Sequence, residues 1–499
     1  MNLKKLISNL KIEKISGNPD LEIEGLSCDS RKVRKNFLFV AIRGFKQDGH
    51  QFIPKAIKRG AKAIIAEREA PIPSPDVVSI KVPSSRLALA KVSNCFYGFP
   101  SQKMKVIGIT GTNGKTTTVY MLESILNAAN FKVGKISTID YNLGDELYSS
   151  HPSFITTPEP EELQRMLRIM VDKKVKYVVI EVSSHSLVLR RVEGIKFDWL
   201  IFTNLSPEHL DFHKTMDNYL QAKASLFKKS ESDCGEKIRR KAVINVDEEA
   251  GSYILKNTPY QTITYGIKEK ALFQAEVVKT EIERTSFILK IKGKEKGAID
   301  LSLPGLHNVY NALAAVAVSF GENISLSLIK RGLENLKRVP GRLEPVENRR
   351  DLKIFVDYAH TQDGLEKVLR TLRKITKKRL LLVFGCGGDR DKLKRPLMGK
   401  VAFKLADYSV ITSDNPRSED PEDIITQIEK GAKDEGGRKI KDYLTISDRR
   451  EAIKKALQII EKGDVLLIAG KGHEKVQIFK DKVVEFDDRE VAQDLLKEI

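Results

Sequence analysis

Disulfide chemistry has little to work with here. The 499 residues hold four cysteines, Cys28, Cys95, Cys234 and Cys386, and none forms a C-x-x-C pair. That spacing excludes a zinc framework or a thioredoxin-like motif and fits reduced thiols in a cytoplasmic protein. Long hydrophobic runs are missing too. No stretch approaches about 18 consecutive apolar residues, so no membrane span is expected. The N-terminus, Met1-Asn-Leu-Lys-Lys-Leu-Ile-Ser8, lacks the apolar segment and cleavage site of a secretory leader. No internal repeat or low-complexity tract appears, which excludes a solenoid or a linker protein. Aromatics are 7% of the chain, with a single tryptophan, and they do not interleave with basic residues. A nucleic-acid partner is therefore not expected, although the balance is basic.

What is present is an ordinary globular composition, 41% hydrophobic and 31% charged, with a net charge of +19. Such a charge draws in anionic small substrates as well as nucleic acid. The basic residues are spread along the chain, with small clusters at Arg373–Arg379 and Lys394–Arg395. A solvated lysine-rich surface is the plainer account. Length predicts about three domains. Residues 1–104 read as a small α/β unit, with short strands at Phe37–Ile42 and Ala63–Ala66 and a linker at Phe99–Gln102. Residues 105–337 read as alternating strands and helices, with buried strands at Tyr177–Val182 and Trp199–Thr203. Residues 338–499 alternate again, with strands at Lys353–Asp357, Leu380–Phe384, Tyr408–Thr412 and Val465–Ala469. The fold class is α/β: a central P-loop-type parallel-sheet ATPase domain between a small N-terminal α/β domain and a C-terminal Rossmann-like domain.

The most informative stretch is Val106-Ile-Gly-Ile-Thr-Gly-Thr-Asn-Gly-Lys-Thr-Thr-Thr118. A β-branched run ends in a glycine loop, then a lysine and threonines, then a helical pattern. Backbone N–H groups of such a loop close around phosphate oxygens, the lysine offsets their charge, and a hydroxyl reaches Mg²⁺. The usual pattern has its first glycine where this chain has Ile109; Gly111 lies closer to Gly114, so the loop is a compact variant. A mere strand-to-helix turn would not need Gly-Lys-Thr. The chain is thus expected to bind ATP with Mg²⁺.

Other polar motifs also follow strand candidates directly: Ser183–His185, Asn204–Asp211, Tyr358–His360, Gly385–Arg390, Asp414–Arg417 and Gly470–Glu474. Open parallel sheets bind ligands at the carboxyl ends of their strands. Taken singly, each has a bland reading. Glu181 is a strand-end acid that would otherwise make an ion pair, His209 a hydrogen-bonded structural histidine, and Lys223 a surface helix lysine.

Together these motifs, with Leu303-Pro-Gly-Leu-His-Asn-Val-Tyr-Asn311, Asp357-Tyr-Ala-His-Thr361 and Leu26-Ser-Cys-Asp-Ser-Arg-Lys-Val33, resemble the Mur ligase family over nearly the whole chain and in the family's order. The resemblance is strongest to the branch that adds the third amino acid of the peptidoglycan stem peptide. It implies that Gly111, Thr112, Asn113, Gly114, Lys115, Thr116 and Thr117 bind ATP, with His307, Asn308, Asn311 and Arg342 on the nucleotide side. Thr116, Glu181 and His209 would hold magnesium, and Lys223 matches a lysine that is carbamylated in the family and then serves a second Mg²⁺. Lys115, Lys223, His209, Asp357 and His360 would be catalytic, the last two near the transferred phosphate. Cys28, Ser30, Thr156, Thr157, Ser183, Leu189 and Arg191 match positions that hold the UDP-muramoyl peptide. Leu189 stands where some members have glutamine, so the resemblance supplies no polar contact there.

Asp414-Asn-Pro-Arg417 would select the amino acid. Alone it is a turn before a helix capped by Asp420 and Pro421. In the family it resembles the signature of enzymes that add meso-diaminopimelate, whose second amino-acid head carries a carboxylate. Arg417, with Arg390, suits that carboxylate, and Glu474 of Gly470–Glu474 suits an ammonium. Asn415 and Pro416 complete the motif. The implied reaction is ATP-dependent amide formation through an acyl phosphate, joining UDP-N-acetylmuramoyl-L-alanyl-D-glutamate to diaminopimelate in a cytoplasmic monomer. The competing readings are the same ligase using L-lysine, a folylpolyglutamate synthase-like ligase, the ligase of the terminal dipeptide and a nucleic-acid-stimulated P-loop ATPase.

Overall fold

The computed structural model describes residues 1–44, 47–69, 76–145, 147–149, 155–228, 240–282 and 284–499; Cys234 lies outside them. Three sheets follow one another along the chain. The first has five strands in the order Lys14–Ser16, Val78–Lys81, Ala61–Ala66, Phe37–Val40 and Gly25–Ser27. All pairings are parallel except that of the edge strand Lys14–Ser16.

The central sheet has eleven strands. Its heart is parallel: Gln261–Gly266, Lys241–Asn245, Trp199–Phe202, Lys105–Thr110, Tyr177–Glu181 and Val133–Ile136, in that order. The strand that feeds the glycine loop is thus flanked by those ending at Phe202 and Glu181. Helices cover both faces, so the innermost strands, Trp199–Phe202, Lys105–Thr110 and Tyr177–Glu181, are buried almost throughout and read as apolar runs. One covering helix, Leu306–Gly321, is built from small and branched apolar residues and is buried for most of its length.

The expectation of alternating strands and helices over 105–337 needs correction at both sheet edges. Phe273–Thr280, Thr285–Ile291 and Lys294–Leu301 form an antiparallel meander, and Asp140–Asn142 and Leu147–Ser149 extend the other edge antiparallel. Thr285–Ile291 alternates buried and half-buried residues, the period-two pattern of a hairpin with one covered face. The expected linker Phe99–Gln102 is also more ordered than an extended connection. Pro100–Lys103 is a 3₁₀ turn, and Ser101 Oγ accepts from the Lys196 N–H at 3.1 Å.

The third sheet has Glu344–Pro345 as an antiparallel edge, then Lys353–Asp357, Val465–Ala469, Leu380–Phe384, Tyr408–Ile411 and Tyr443–Thr445, all parallel. A separate hairpin, Val476–Ile478 with Val483–Glu485, follows it. No helix among the described residues is long and apolar enough to cross a membrane.

Candidate active site

The loop after strand Lys105–Thr110 closes on itself. Gly114 caps helix Lys115–Ala128 with φ +85°, and a Cβ there would lie 2.2 Å from Asn311 Oδ1. Only glycine meets both conditions. Asn311 in turn donates to Asn308 Oδ1 at 3.1 Å, and Asn308 to Pro304 O at 2.8 Å. These two asparagines therefore buttress the loop from helix Leu306–Gly321, while His307 stands exposed at its start. On the other side the Asn113 N–H donates to Asn204 Oδ1 at 2.8 Å, and Thr112 Oγ1 pairs with the Tyr219 hydroxyl at 3.1 Å.

Two lysines converge on this loop. Lys115 Nζ donates to Gly111 O at 2.9 Å and Thr112 O at 2.8 Å, and Lys223 Nζ donates to the same Gly111 O at 2.7 Å. Lys223 is 1% exposed and lies over the Tyr219 ring, which overturns the bland reading of a surface lysine. Burial pushes both ammonium groups down, Lys223 well below its ordinary value with Lys115 adding to the effect. Two buried lysines sharing one carbonyl disfavour each other's charge, which drives Lys223 toward the neutral amine. His209 sits beside them in the left-handed region, φ +57°, with Nε2 3.8 Å from Glu208 Oε1. Its ring stacks edge-on with His185 at 4.7 Å, and desolvation with the nearby Lys115 and Lys223 charges lowers it to about 4.

Glu181 is fully buried at the end of its strand. Its two oxygens accept from Thr138 N at 3.1 Å and Thr138 Oγ1 at 2.9 Å. It makes no ion pair with a described residue, and a buried carboxylate without a countercharge suits a cation. No group of three or more His, Cys, Asp or Glu gathers among the described residues. The donors on hand are instead the Glu181 carboxylate, the Thr116 hydroxyl and the His209 ring. Hard oxygen donors in small number fit Mg²⁺ that keeps water and phosphate ligands.

A second cluster forms where Tyr177–Glu181 ends. Thr157 Oγ1 donates to Glu181 O at 2.8 Å and accepts from the Ser183 N–H at 3.2 Å. Arg191 Nη1 donates to Thr157 O at 3.2 Å and its Nη2 pairs with Glu159 at 2.6 Å. Thr156 joins through Thr138 Oγ1 at 3.1 Å. The predicted residues Thr156, Thr157, Ser183 and Arg191 therefore meet in space, and Leu189 caps the short helix Ser184–Val188 beside them. Cys28 reaches this region from the first sheet: its N–H and thiol both contact Glu161 Oε1, at 3.3 and 3.1 Å. Burial and Glu161 push the thiol up, so it is no nucleophile. Ser30 is buried on the same loop.

The third sheet faces the glycine loop. Arg342 Nη2 donates to Thr116 Oγ1 at 3.3 Å, and its guanidinium lies over the Tyr358 ring. Asp363, which the sequence did not single out, accepts from Asn113 Nδ2 at 3.4 Å, Ser206 Oγ at 2.8 Å and Lys367 Nζ at 2.8 Å. Both Asp357 oxygens accept backbone N–H groups, Leu343 at 2.7 Å and Ala359 at 2.8 Å. These bonds fix the Arg342 segment, and each oxygen keeps a further lone pair. His360 Nδ1 pairs with Tyr358 O at 2.8 Å, and burial lowers the ring to about 4.

The amino-acid motifs also come together. Asn415 Nδ2 donates to Glu474 Oε2 at 2.7 Å, and Arg417 Nη1 donates to Gly388 O at 2.8 Å. Arg417 takes φ +54° and is half-buried, whereas Arg390 is exposed. Burial works to raise the Asp414 carboxyl, but Lys471, Arg449, His360 and Lys394 outweigh it and hold it low. Burial and Asp414 raise Glu474. Gly470 and Pro416 shape the loops that carry these groups. The basic cluster Lys394–Arg395 is not all solvated surface: Arg395 is fully buried and grips Glu419 through Nη1 and Nη2, each at 2.9 Å. Those bonds lower Glu419 to about 2, and Glu419 in turn accepts from the Asp389 N–H at 2.6 Å beside Arg390.

Comparison with known proteins agrees along the whole chain. The Mur ligase family catalytic domain matches residues 22–97, the Mur ligase middle domain residues 109–319, and the Mur ligase glutamate ligase domain residues 341–472. A protein of Clostridium acetobutylicum named UDP-N-acetylmuramoyl-L-alanyl-D-glutamate–2,6-diaminopimelate ligase 1 is 47% identical, with all of both chains covered. A Geobacillus thermodenitrificans ligase of the same activity name is 44% identical, again over all of both chains. A solved structure of such a ligase superposes with a TM-score of 0.67 at 28% identity, over 100% of this chain and 99% of that one. With relatives this similar over their full length, the chain belongs to the Mur ligase family.

Proposed function

We propose that this protein is an ATP-dependent amide ligase that joins meso-2,6-diaminopimelate to UDP-N-acetylmuramoyl-L-alanyl-D-glutamate. The observation that carries the reading is the pairing of two sheet edges. The glycine loop with Lys115 and Lys223 faces the Arg342 and Asp363 contacts of the sheet that bears Asp414–Arg417 and Glu474. The names of the full-length relatives carry both substrates.

The chemistry needs no covalent enzyme nucleophile. The γ-phosphoryl group of ATP passes to the D-glutamate carboxylate, giving an acyl phosphate and ADP. The substrate amine then attacks the acyl carbon, and phosphate leaves as the amide forms. Lys115 offsets charge on the transferring group, and the Gly111–Thr117 amides hold the phosphates. Thr116, Glu181 and His209 are the residues that would hold Mg²⁺, which when bound neutralises phosphate charge. The buried Lys223, pushed toward its neutral amine, is suited to carbamylation, which would turn a cation into an anionic ligand. Thr156, Ser183 and Arg191, steadied by the buried Thr157, face the UDP-peptide, with Cys28 and Ser30 on the uridine side. Arg417 and Arg390 receive the distal carboxylate, and Glu474 its ammonium. A cytoplasmic monomer of domains 1–104, 105–337 and 338–499 completes the proposal.

The test is phosphate release with ATP, Mg²⁺ and the UDP-dipeptide, adding meso-diaminopimelate or L-lysine in parallel. Turnover with diaminopimelate alone is expected. Turnover with lysine alone would overturn the carboxylate clamp, and silence with both would overturn the ligase reading.

A further inference from the structure

Lys471 is an ammonium with 0% exposure, and the reaction above does not use it. It follows strand Val465–Ala469 on the loop that carries Glu474. Its Nζ has three N–H bonds to give and three acceptors around it: Val476 O at 2.6 Å, Asn415 Oδ1 at 3.1 Å and Glu474 Oε2 at 3.3 Å. Asn415 closes the ring by donating to the same Glu474 Oε2 at 2.7 Å. Its own Oδ1 also accepts the Ile478 N–H at 3.0 Å. The hairpin beginning at Val476 holds the same segment from behind. Gln477 Nε2 donates to Asp414 O at 2.8 Å, and the Arg417 N–H donates to Ile478 O at 3.0 Å.

Two consequences follow. Glu474 Oε2 is bonded twice, while Oε1 receives no bond from a described residue on a side chain that keeps 29% exposure. One oxygen is fixed and the other is left open toward an incoming ammonium. The second consequence is electrostatic. Lys471 offsets the Asp414 and Glu474 carboxylates at close range, so the positive charge of Arg417 and Arg390 stays available to a substrate carboxylate. A diaminopimelate whose attacking amine is neutral carries two carboxylates and one ammonium, a net negative charge. Lysine in the same state is neutral.

We propose that Lys471 is a positioning and specificity-determining residue of the amino-acid site. It locks Asn415 and Glu474 into one register and supplies the charge that favours a dicarboxylic amino acid over a monocarboxylic one. The inference rests on the ligase reading above.

The experiment compares wild type, Lys471→Met and Lys471→Arg in phosphate release, with diaminopimelate and lysine each titrated. For Lys471→Met the diaminopimelate KM is expected to rise about tenfold or more with kcat within about threefold. The preference for diaminopimelate over lysine should fall about tenfold, and the KM values for ATP and UDP-dipeptide should stay within about twofold. Lys471→Arg keeps the charge but not the shape, so it should raise KM and retain the preference. Should Lys471→Met not fold, Gln477→Met carries the test of the frame, with a raised KM for both amino acids expected and an unchanged KM overturning it. An active wild type with an unaltered Lys471→Met, or an ATP KM rising in step with the amino-acid KM, overturns this inference alone. A wild type silent with diaminopimelate overturns the ligase reading and this inference with it.

Discussion

Two buried lysines bonded to one carbonyl oxygen define the residue scale of this protein. Lys115 and Lys223 both reach Gly111 O, at 2.9 and 2.7 Å, and neither has a carboxylate within ion-pair distance among the described residues. The Lys115 charge is suited to phosphate, whereas Lys223, pushed toward its neutral amine, is suited to carbamylation. Lys115→Met should lower kcat/KM about a thousandfold, the scale of losing one strong transition-state contact, with little change in the unfolding midpoint. Phosphate release and thermal unfolding on one preparation check both halves. Arg417 gives a second residue-scale prediction. Its guanidinium is held by Gly388 O, so Arg417→Lys keeps the charge and loses the fork, and kcat/KM for diaminopimelate should fall about ten- to a hundredfold. An unchanged value would remove Arg417 from the clamp. Lys115 was legible in the sequence because loop, lysine and hydroxyl are contiguous. Thr138 was not, because it reaches the site from a distant segment with no local pattern, and Asp363 was passed over although it lies two residues beyond the Asp357–Thr361 motif.

At the scale of elements, the parallel strands were legible as short apolar runs, and their boundaries shift by up to two residues from expectation. The antiparallel meander was missed although Lys292 and Gly293, both at positive φ, make the two-residue turn that joins Thr285–Ile291 to Lys294–Leu301. The third domain is fastened by a pair that no local motif announces. Arg449 and Asp488 are both fully buried and bond through Nε and Nη2, each at 2.7 Å, tying helix Asp488–Glu498 to helix Arg449–Ile459. Arg449 also donates to Ser413 O and Ala469 O, next to the amino-acid site. Arg449→Met leaves Asp488 buried without a partner and should destabilise by about 3–5 kcal/mol. Arg449→Met with Asp488→Leu should recover part of that loss. Urea unfolding followed by tryptophan-independent far-ultraviolet dichroism measures it, and equal stability of the single variant and wild type would refute it.

The whole molecule turns on one short connection. Val339 is fully buried in the core of the central sheet, whereas Gly341, at φ +61°, lies so close to the Gly472–His473 backbone that a Cβ would sit 2.3 Å from His473 N. One neighbour belongs to the central body and the other to the last, so rotation of the last body is expected about the segment near Arg338–Gly341. Closure excludes water from a hydrolysable acyl phosphate. Nucleotide with UDP-dipeptide should therefore reduce the radius of gyration in X-ray scattering, and superposable profiles would count against it. Histidines give the pH prediction. Burial lowers His213 and His360 to about 4 and His473 to about 3, below the ordinary value of 6.5. Between those values the unfolded chain binds protons that the folded chain does not, so stability rises with pH across that window. The unfolding midpoint should fall as pH drops from 6.5 toward 4, and His213→Asn should flatten the slope.

The sequence by itself determined the three α/β blocks, the phosphate loop and the family, because apolar runs, glycine spacing and contiguous motifs are written in local order. Tertiary structure decided what those motifs touch. It buried Lys223 and Arg395 where composition suggested solvated charge, and it turned Asp357 into an anchor for the Arg342 segment. It also joined Asn415 to Glu474 through Lys471. Burial and cross-chain hydrogen bonding depend on which strands lie side by side, and that order is fixed only when the sheets form.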